Sequence, residues 1–189
     1  MLSVSSGDYV VLCEDDGLPE LYDYYRQNAV LVEEFDLDNP DCSVCFVGLQ
    51  RDSETPFLVI AQSYSPSEFG FDPGVQLIEE TGVLFVGAGE RLLAYDLERA
   101  TRLWEDEADE GFHRWSRHDS TVLMSAELEL VAWSLEGRKL WSTFVEPPWK
   151  YTVEGGTVEL DVMGNTTSFD LVQGPRSVLA KVELCGRKC

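Results

Sequence analysis

Residues 83–104 read VLFVGAGERLLAYDLERATRLW, and residues 122–141 read VLMSAELELVAWSLEGRKLW. A weaker third version, VELDVMGNTTSFDLVQG, occupies residues 158–174. Val83 to Val122 is 39 residues and Val122 to Val158 is 36, while Tyr95, Trp133 and Phe169 follow in steps of 38 and 36. Short apolar runs alternate with turn residues in each copy, the pattern of antiparallel hairpins. A period in this range is produced by propeller blades and other β-repeats.

Outward from the repeats, the rest of the chain also reads as strands. Residues 43–50 and 56–63 form a hairpin around residues 51–55, and residues 75–78 lead into the first copy. A turn-rich loop at 64–74 separates the two regions. The first forty residues differ. Residues 9–13 and 29–37 read as strands on either side of a short helix at 18–28, with Pro19 near its first turn. Leu18, Leu21, Tyr22 and Tyr25 share one helical face there. The expected fold is mainly β: antiparallel blade-like sheets forming an incomplete propeller or a β-sandwich, with one short N-terminal helix. The expected organisation is a single domain over 1–189. It comprises a strand-helix-strand element at 1–41, a β-repeat body at 42–175 and a tail at 176–189.

The segments LLAYDLERATRLW and LVAWSLEGRKLW carry an aromatic residue, an acidic or polar neighbour, a turn and a closing Trp. The matching residues are Tyr95, Asp96 and Trp104, then Trp133, Ser134, Gly137 and Trp141. This resembles the blade signature of pyrroloquinoline-quinone-type β-propellers. The resemblance covers about half of the chain. It implies blade-like sheets and does not imply the cofactor, since three copies are too few to close such a ring. The third copy lacks the closing Trp. The aromatics are expected in the core, where a closing Trp can wedge one sheet against the next.

Charge is the second signal. The chain has 35 Asp and Glu against 14 Lys and Arg, a net charge of −21. Such a field repels nucleic acid and anionic membrane and favours a basic protein partner. The densest acidic run, Glu105, Asp106, Glu107, Asp109 and Glu110, is the candidate partner-binding surface and is expected in a solvated loop between repeats. No apolar stretch is long enough to span a membrane, and the N-terminus lacks a signal-peptide pattern, so a cytoplasmic location is expected.

The cysteines are Cys13, Cys42, Cys45, Cys185 and Cys189. Cys42, Cys45, Cys185 and Cys189 form two close pairs that can supply four thiolates to a tetrahedral zinc. Free reduced thiols are the competing reading. His113, Arg114, Arg117 and His118 form a local basic segment. It is read as the outer strand of a blade whose charges pair with the acidic run, and alternatively as a base or an anion clamp. No phosphate loop, nucleophile elbow or zinc-protease motif is present, and no cofactor is expected. The leading functional reading is therefore a non-enzymatic acidic β-repeat module that binds a protein partner. The alternatives are an acidic inhibitor, such as an immunity protein or nucleic-acid mimic, and a small metal-binding protein or enzyme.

Overall fold

The computed structural model describes residues 1–15, 17–65 and 72–176. The described residues form four sheets in a row. The first contains β1 (Leu2–Ser6), β2 (Tyr9–Glu14), β3 (Leu31–Phe35), β4 (Ser43–Arg51) and β5 (Leu58–Tyr64), in the order β1-β2-β4-β5-β3. The second is the meander β6 (Gly74–Ile78), β7 (Val83–Ala88), β8 (Arg91–Asp96) and β9 (Thr101–Glu107). The third repeats it with β10 (Phe112–His118), β11 (Thr121–Ala126), β12 (Glu129–Ser134) and β13 (Lys139–Phe144). The fourth has β14 (Trp149–Glu154), β15 (Thr157–Val162) and β16 (Asn165–Asp170) among the described residues. The blade-like β architecture expected from the sequence is present.

Each pair of adjacent sheets encloses its own core. Leu84, Val86, Leu93 and Tyr95 of the second sheet meet Val47, Leu49, Leu58 and Ile60 of the first. On its other face, Val83, Phe85 and Leu92 meet Val122, Met124 and Trp133 of the third. Leu123, Leu130 and Trp141 then meet Val158, Leu160 and Leu171. No buried cluster joins the first sheet to the fourth among the described residues, so the row is open. The middle strands are covered on both faces, which is why β7 and β11 are buried along their whole length. Each large apolar side chain fully buried there contributes about 1.5–3 kcal/mol.

The register sharpens the repeat. Tyr95 lies opposite Leu84, Trp133 opposite Val122 and Phe169 opposite Val158. The residue equivalent to Val122 is thus Leu84 and not Val83. Leu84 to Val122 is 38 residues and Val122 to Val158 is 36, matching the aromatic steps. A shift of one residue turns a side chain to the opposite face, and Val83 indeed faces the third sheet while Leu84 faces the first. The first copy has no Gly where the second has Gly137 at φ 80; there Ala100 takes the left-handed conformation at φ 48.

The two outer faces of the row differ. The first sheet presents Leu12, Phe46, Val59 and Ala61, and these are covered by Tyr22 and Tyr25 of α1 (Tyr22–Asn28). The helix is shorter than the 18–28 expected. Its first hydrogen bonds run from Tyr22 N to Pro19 O and from Tyr25 N to Leu21 O, so Leu18 to Leu21 form the turn before it. Only Tyr22 and Tyr25 of the expected face are buried, while Leu18 and Leu21 are exposed. The strand expected at 29–37 shortens to β3, which pairs in parallel with β5. The outward face of the fourth sheet carries Lys150, Thr152, Glu154, Thr157, Glu159 and Asp161, since the alternate residues pack inward.

Two local expectations are corrected. Glu105, Asp106 and Glu107 are not in a loop but form the end of β9. The basic segment is an edge strand, β10, on the side of its sheet opposite β13, and it packs against β6 and β7. Arg117 pairs with Glu80 rather than with the acidic run, Arg114 lies over the ring of Tyr151, and His113 Nε2 meets Glu127. No helix among the described residues is long and apolar enough to cross a membrane.

Candidate functional site

A cleft of about 500 Å3 opens at one end of the first three sheets. Its walls carry six carboxylates: Asp36, Glu90, Glu105, Asp106, Glu107 and Glu110. The single basic residue in the wall is Arg91. Four of the five acidic residues singled out in the sequence therefore line one cavity. Asp109 is not among its lining residues; its backbone carbonyl accepts from Leu128 N in the β11–β12 connection at 3.3 Å.

Separate elements bring these groups together. Asp36 follows β3 at φ 55. Glu90 sits with Gly89 in the two-residue turn between β7 and β8. That turn is needed in this form, since Gly89 has φ 58 and a β-carbon on it would lie 3.1 Å from Cβ of Tyr64. Glu110 and Gly111 connect β9 to β10, again with positive φ. Backbone hydrogen bonds fasten the two turns to each other, from Ala108 N to Glu90 O at 2.7 Å and from Phe112 N to Gly89 O at 2.6 Å. Glu90 and Glu110 thus stand on turns tied to one another, and Glu105, Asp106 and Glu107 on the end of β9, which limits the entropy lost on binding.

The charges are partly compensated. Arg91 donates from Nη2 to Asp36 at 3.0 Å and from Nε to Glu105 at 3.1 Å, with its guanidinium 4.6 Å from the centre of the Phe35 ring. Arg102 also reaches Glu105, at 3.0 Å, and Lys139 pairs with Asp106 at 2.7 Å. Glu90, Glu107 and Glu110 have no ion-pair partner among the described residues and are exposed. Tyr64 adds ring surface to the wall, while the ring of Phe112 is buried in the core behind it. Nearby, burial raises the carboxyl of Glu129 above its ordinary range, an effect that Lys139 partly opposes. The arrangement is a preformed concave anionic surface with one aromatic edge, suited to a cationic side chain.

The sequence did not single out Asp36, Glu90 or Arg91. Glu90 was legible only as part of a turn, and Asp36 reaches the cleft through the parallel pairing of β3, which no local pattern announces.

The cysteines separate. Cys42 is half-buried, borders the acidic cleft and places its Sγ 3.8 Å from Ser65 Oγ. Cys45 is 4% exposed and opens instead on an apolar cavity shared with Cys13. Burial pushes the Cys45 thiol up to about 12 and the Cys13 thiol up to about 11, with Asp15 adding to both. Cys185 and Cys189 lie outside the described residues. Among the described residues no group of three or more His, Cys, Asp and Glu is placed to hold a metal. In β10, burial lowers the pKa of both His113 and His118, and His113 Nε2 lies 3.1 Å from Glu127. The guanidinium of Arg117 is taken up by Glu80.

No protein-family model matches the sequence, and no curated protein matches it. Solved structures that it resembles include BamB from Moraxella catarrhalis, at 12% identity and a TM-score of 0.49 over 92% of this chain. Another is Hsv2 of Kluyveromyces lactis, at 11% identity and a TM-score of 0.43 over 75% of this chain. A third is the computationally designed Ika4 protein, at 15% identity and a TM-score of 0.41 over 53% of this chain. The chain spans 61% of BamB, 45% of Hsv2 and 67% of Ika4.

Proposed function

We propose that the protein is a non-enzymatic interaction module whose acidic cleft receives a basic segment of a protein partner. The observation that carries this reading is the set of six carboxylates around one cavity, three of them without a cation. The cavity lies within the about 300–1,000 Å3 of ordinary ligand pockets, and the partly exposed Tyr64 offers ring surface to a guanidinium. The blade signature shared with pyrroloquinoline-quinone-type propellers supplies the scaffold in this reading and brings no quinone with it.

Calorimetric titration with an arginine-rich peptide tests the proposal. Binding is expected to weaken steeply with added salt. The triple variant Glu90→Lys, Glu107→Lys, Glu110→Lys is expected to lose at least about tenfold in affinity. An equal change of charge elsewhere, Glu146→Lys, Glu154→Lys, Glu159→Lys, should cost much less. Equal losses in the two triples would assign the binding to net charge and remove the cleft from the explanation.

The net charge of −21 also supports the second reading, an acidic inhibitor of a basic enzyme or nucleic-acid-binding protein. In that case nucleic acid should compete with this protein for the partner. A zinc site at Cys42, Cys45, Cys185 and Cys189 is the third reading; the opening of Cys42 and Cys45 onto different cavities weighs against it.

A further inference from the structure

A second cavity, of about 290 Å3, lies between the β1–β2–β4 side of the first sheet and the start of β6. Cys13, Cys45 and Met1 all line it, beside the apolar side chains of Val47 and Val75 and the carboxylates of Glu14, which pairs with the Met1 ammonium at 2.6 Å, and Asp15. The register explains the meeting of the two cysteines. Cys13 on β2 lies opposite Val47 on β4, and Cys45 stands two residues from Val47 on the same strand. Both therefore point to one face, as diagonal neighbours whose α-carbons are about 7–8 Å apart in such a pair. They are 32 residues apart in the chain, so no spacing motif reveals them.

A third feature stands beside Cys45, behind the cavity lining. Gln62 on β5 lies directly opposite Cys45, is 0% exposed, and has no hydrogen-bond partner for either its amide oxygen or its amide nitrogen. Burying such a group unpaired costs about 1–3 kcal/mol. A donor with no acceptor beside a buried thiol acquires one when that sulfur becomes a thiolate.

We propose that this cavity is a binding site for a soft monovalent metal ion, copper(I), held by the thiolates of Cys13 and Cys45 with the thioether of Met1 at its mouth. Thiolate and thioether sulfur select copper(I), and two or three sulfurs satisfy it. Zinc needs four ligands in a closed structural site; the cavity brings no histidine, and its carboxylates Glu14 and Asp15 form no metal-holding group with the two cysteines. Binding displaces one proton from each thiol, so one cation enters and two protons leave. The amide N–H of Gln62 then donates to the Cys45 sulfur and stabilises the charge formed there. This inference does not depend on the acidic cleft.

The test is an anaerobic titration of the full chain with copper(I) against a chromogenic copper(I) chelator, with X-ray absorption to identify the ligand atoms. One equivalent bound through sulfur alone is expected. Cys13→Ser and Cys45→Ala should each weaken binding by at least about 100-fold. Gln62→Leu should weaken it by about 10-fold, as for other residues supporting metal ligands. The same Gln62→Leu change should raise the thermal midpoint of the metal-free protein, because it removes an unpaired buried amide. The triple variant Cys42→Ser, Cys185→Ser, Cys189→Ser should retain full affinity. Circular dichroism checks the fold of every variant, and the half-buried Cys13 gives a readout if Cys45→Ala fails to fold. Loss of binding in the triple variant, a shell containing nitrogen or oxygen, or undiminished affinity in folded Cys13→Ser would overturn the assignment.

Discussion

Trp104 and Trp141 do more at the residue scale than fill space. The indole of Trp104 donates to the carbonyl of Gly137 in the next sheet at 2.6 Å and stacks on Trp133, with ring centres 5.4 Å apart. The indole of Trp141 donates to the carbonyl of Leu171 at 2.8 Å and meets Phe169 edge-on at 5.3 Å. The same latch thus joins the second sheet to the third and the third to the fourth. Gly174 is fitted to it, with φ 74 and a position where a β-carbon would collide with the Trp141 ring. Trp141→Phe keeps most of the ring and leaves the Leu171 carbonyl unpaired, so a loss of about 1–2 kcal/mol is expected. Trp141→Ala is expected to cost about 3–5 kcal/mol. Urea unfolding midpoints, compared at constant slope, measure both. The sequence announced these tryptophans as core wedges. It could not announce their acceptors, which are main-chain carbonyls 33 and 30 residues away.

Elements divide into those that a local pattern specifies and those that depend on distant pairing. The hairpins of the second and third sheets were legible because alternation and turn residues agree over β7 to β8 and β11 to β12. The first copy was misaligned by one residue because Val83 and Leu84 are both apolar, and only the register separates their faces. Strand β9 reads as a loop in the sequence at its acidic end. It is the edge strand of its sheet, with most residues exposed, so it carries no apolar alternation there. The acidic cleft was accordingly half legible. Its β9–β10 side stood out as a run of charge, while Asp36 and Glu90 reach it only through folding.

Helix α1 gives a prediction at this scale. Tyr22 meets Phe46 edge-on at 6.0 Å, Tyr25 stacks on it at 6.2 Å, and the Tyr22 hydroxyl donates to Glu34 at 2.6 Å. Seven residues are too few for a helix to be stable alone, so these contacts hold it in place. The double variant Tyr22→Ser, Tyr25→Ser should undock it and expose the apolar face of the first sheet. A rise in binding of a hydrophobic dye, together with aggregation on warming, is expected. An unchanged dye signal would show that the helix is not what shields that face.

For the whole molecule, the balance is between packing in series and charge repulsion. Among the described residues each buried cluster joins only neighbouring sheets, so stability approximates a sum of sheets and interfaces. Against it stands a net charge of −21, whose self-repulsion opposes the compact state. Most ion pairs lie at the surface, where each contributes little. Raising salt from about 0.01 M to about 0.2 M should therefore stabilise the protein, because screening relieves more repulsion than attraction. A thermal midpoint rising by about 2–4 °C for each kcal/mol relieved is expected by circular dichroism. A fall would mean that ion pairs such as those of Arg91 dominate.

The unlike outer faces of the row have a consequence for how such a chain can change length. Aromatics of a helix seal one face, and the other is already polar, so neither offers a seat to a further blade. The second sheet, by contrast, receives its neighbour on one face and passes an indole to the next on the other, as does the third. A copied unit would find matching partners only if spliced between these two. Lineages of this architecture should therefore gain or lose blades by duplication inside the gene, while the sealing elements at either side are inherited unchanged.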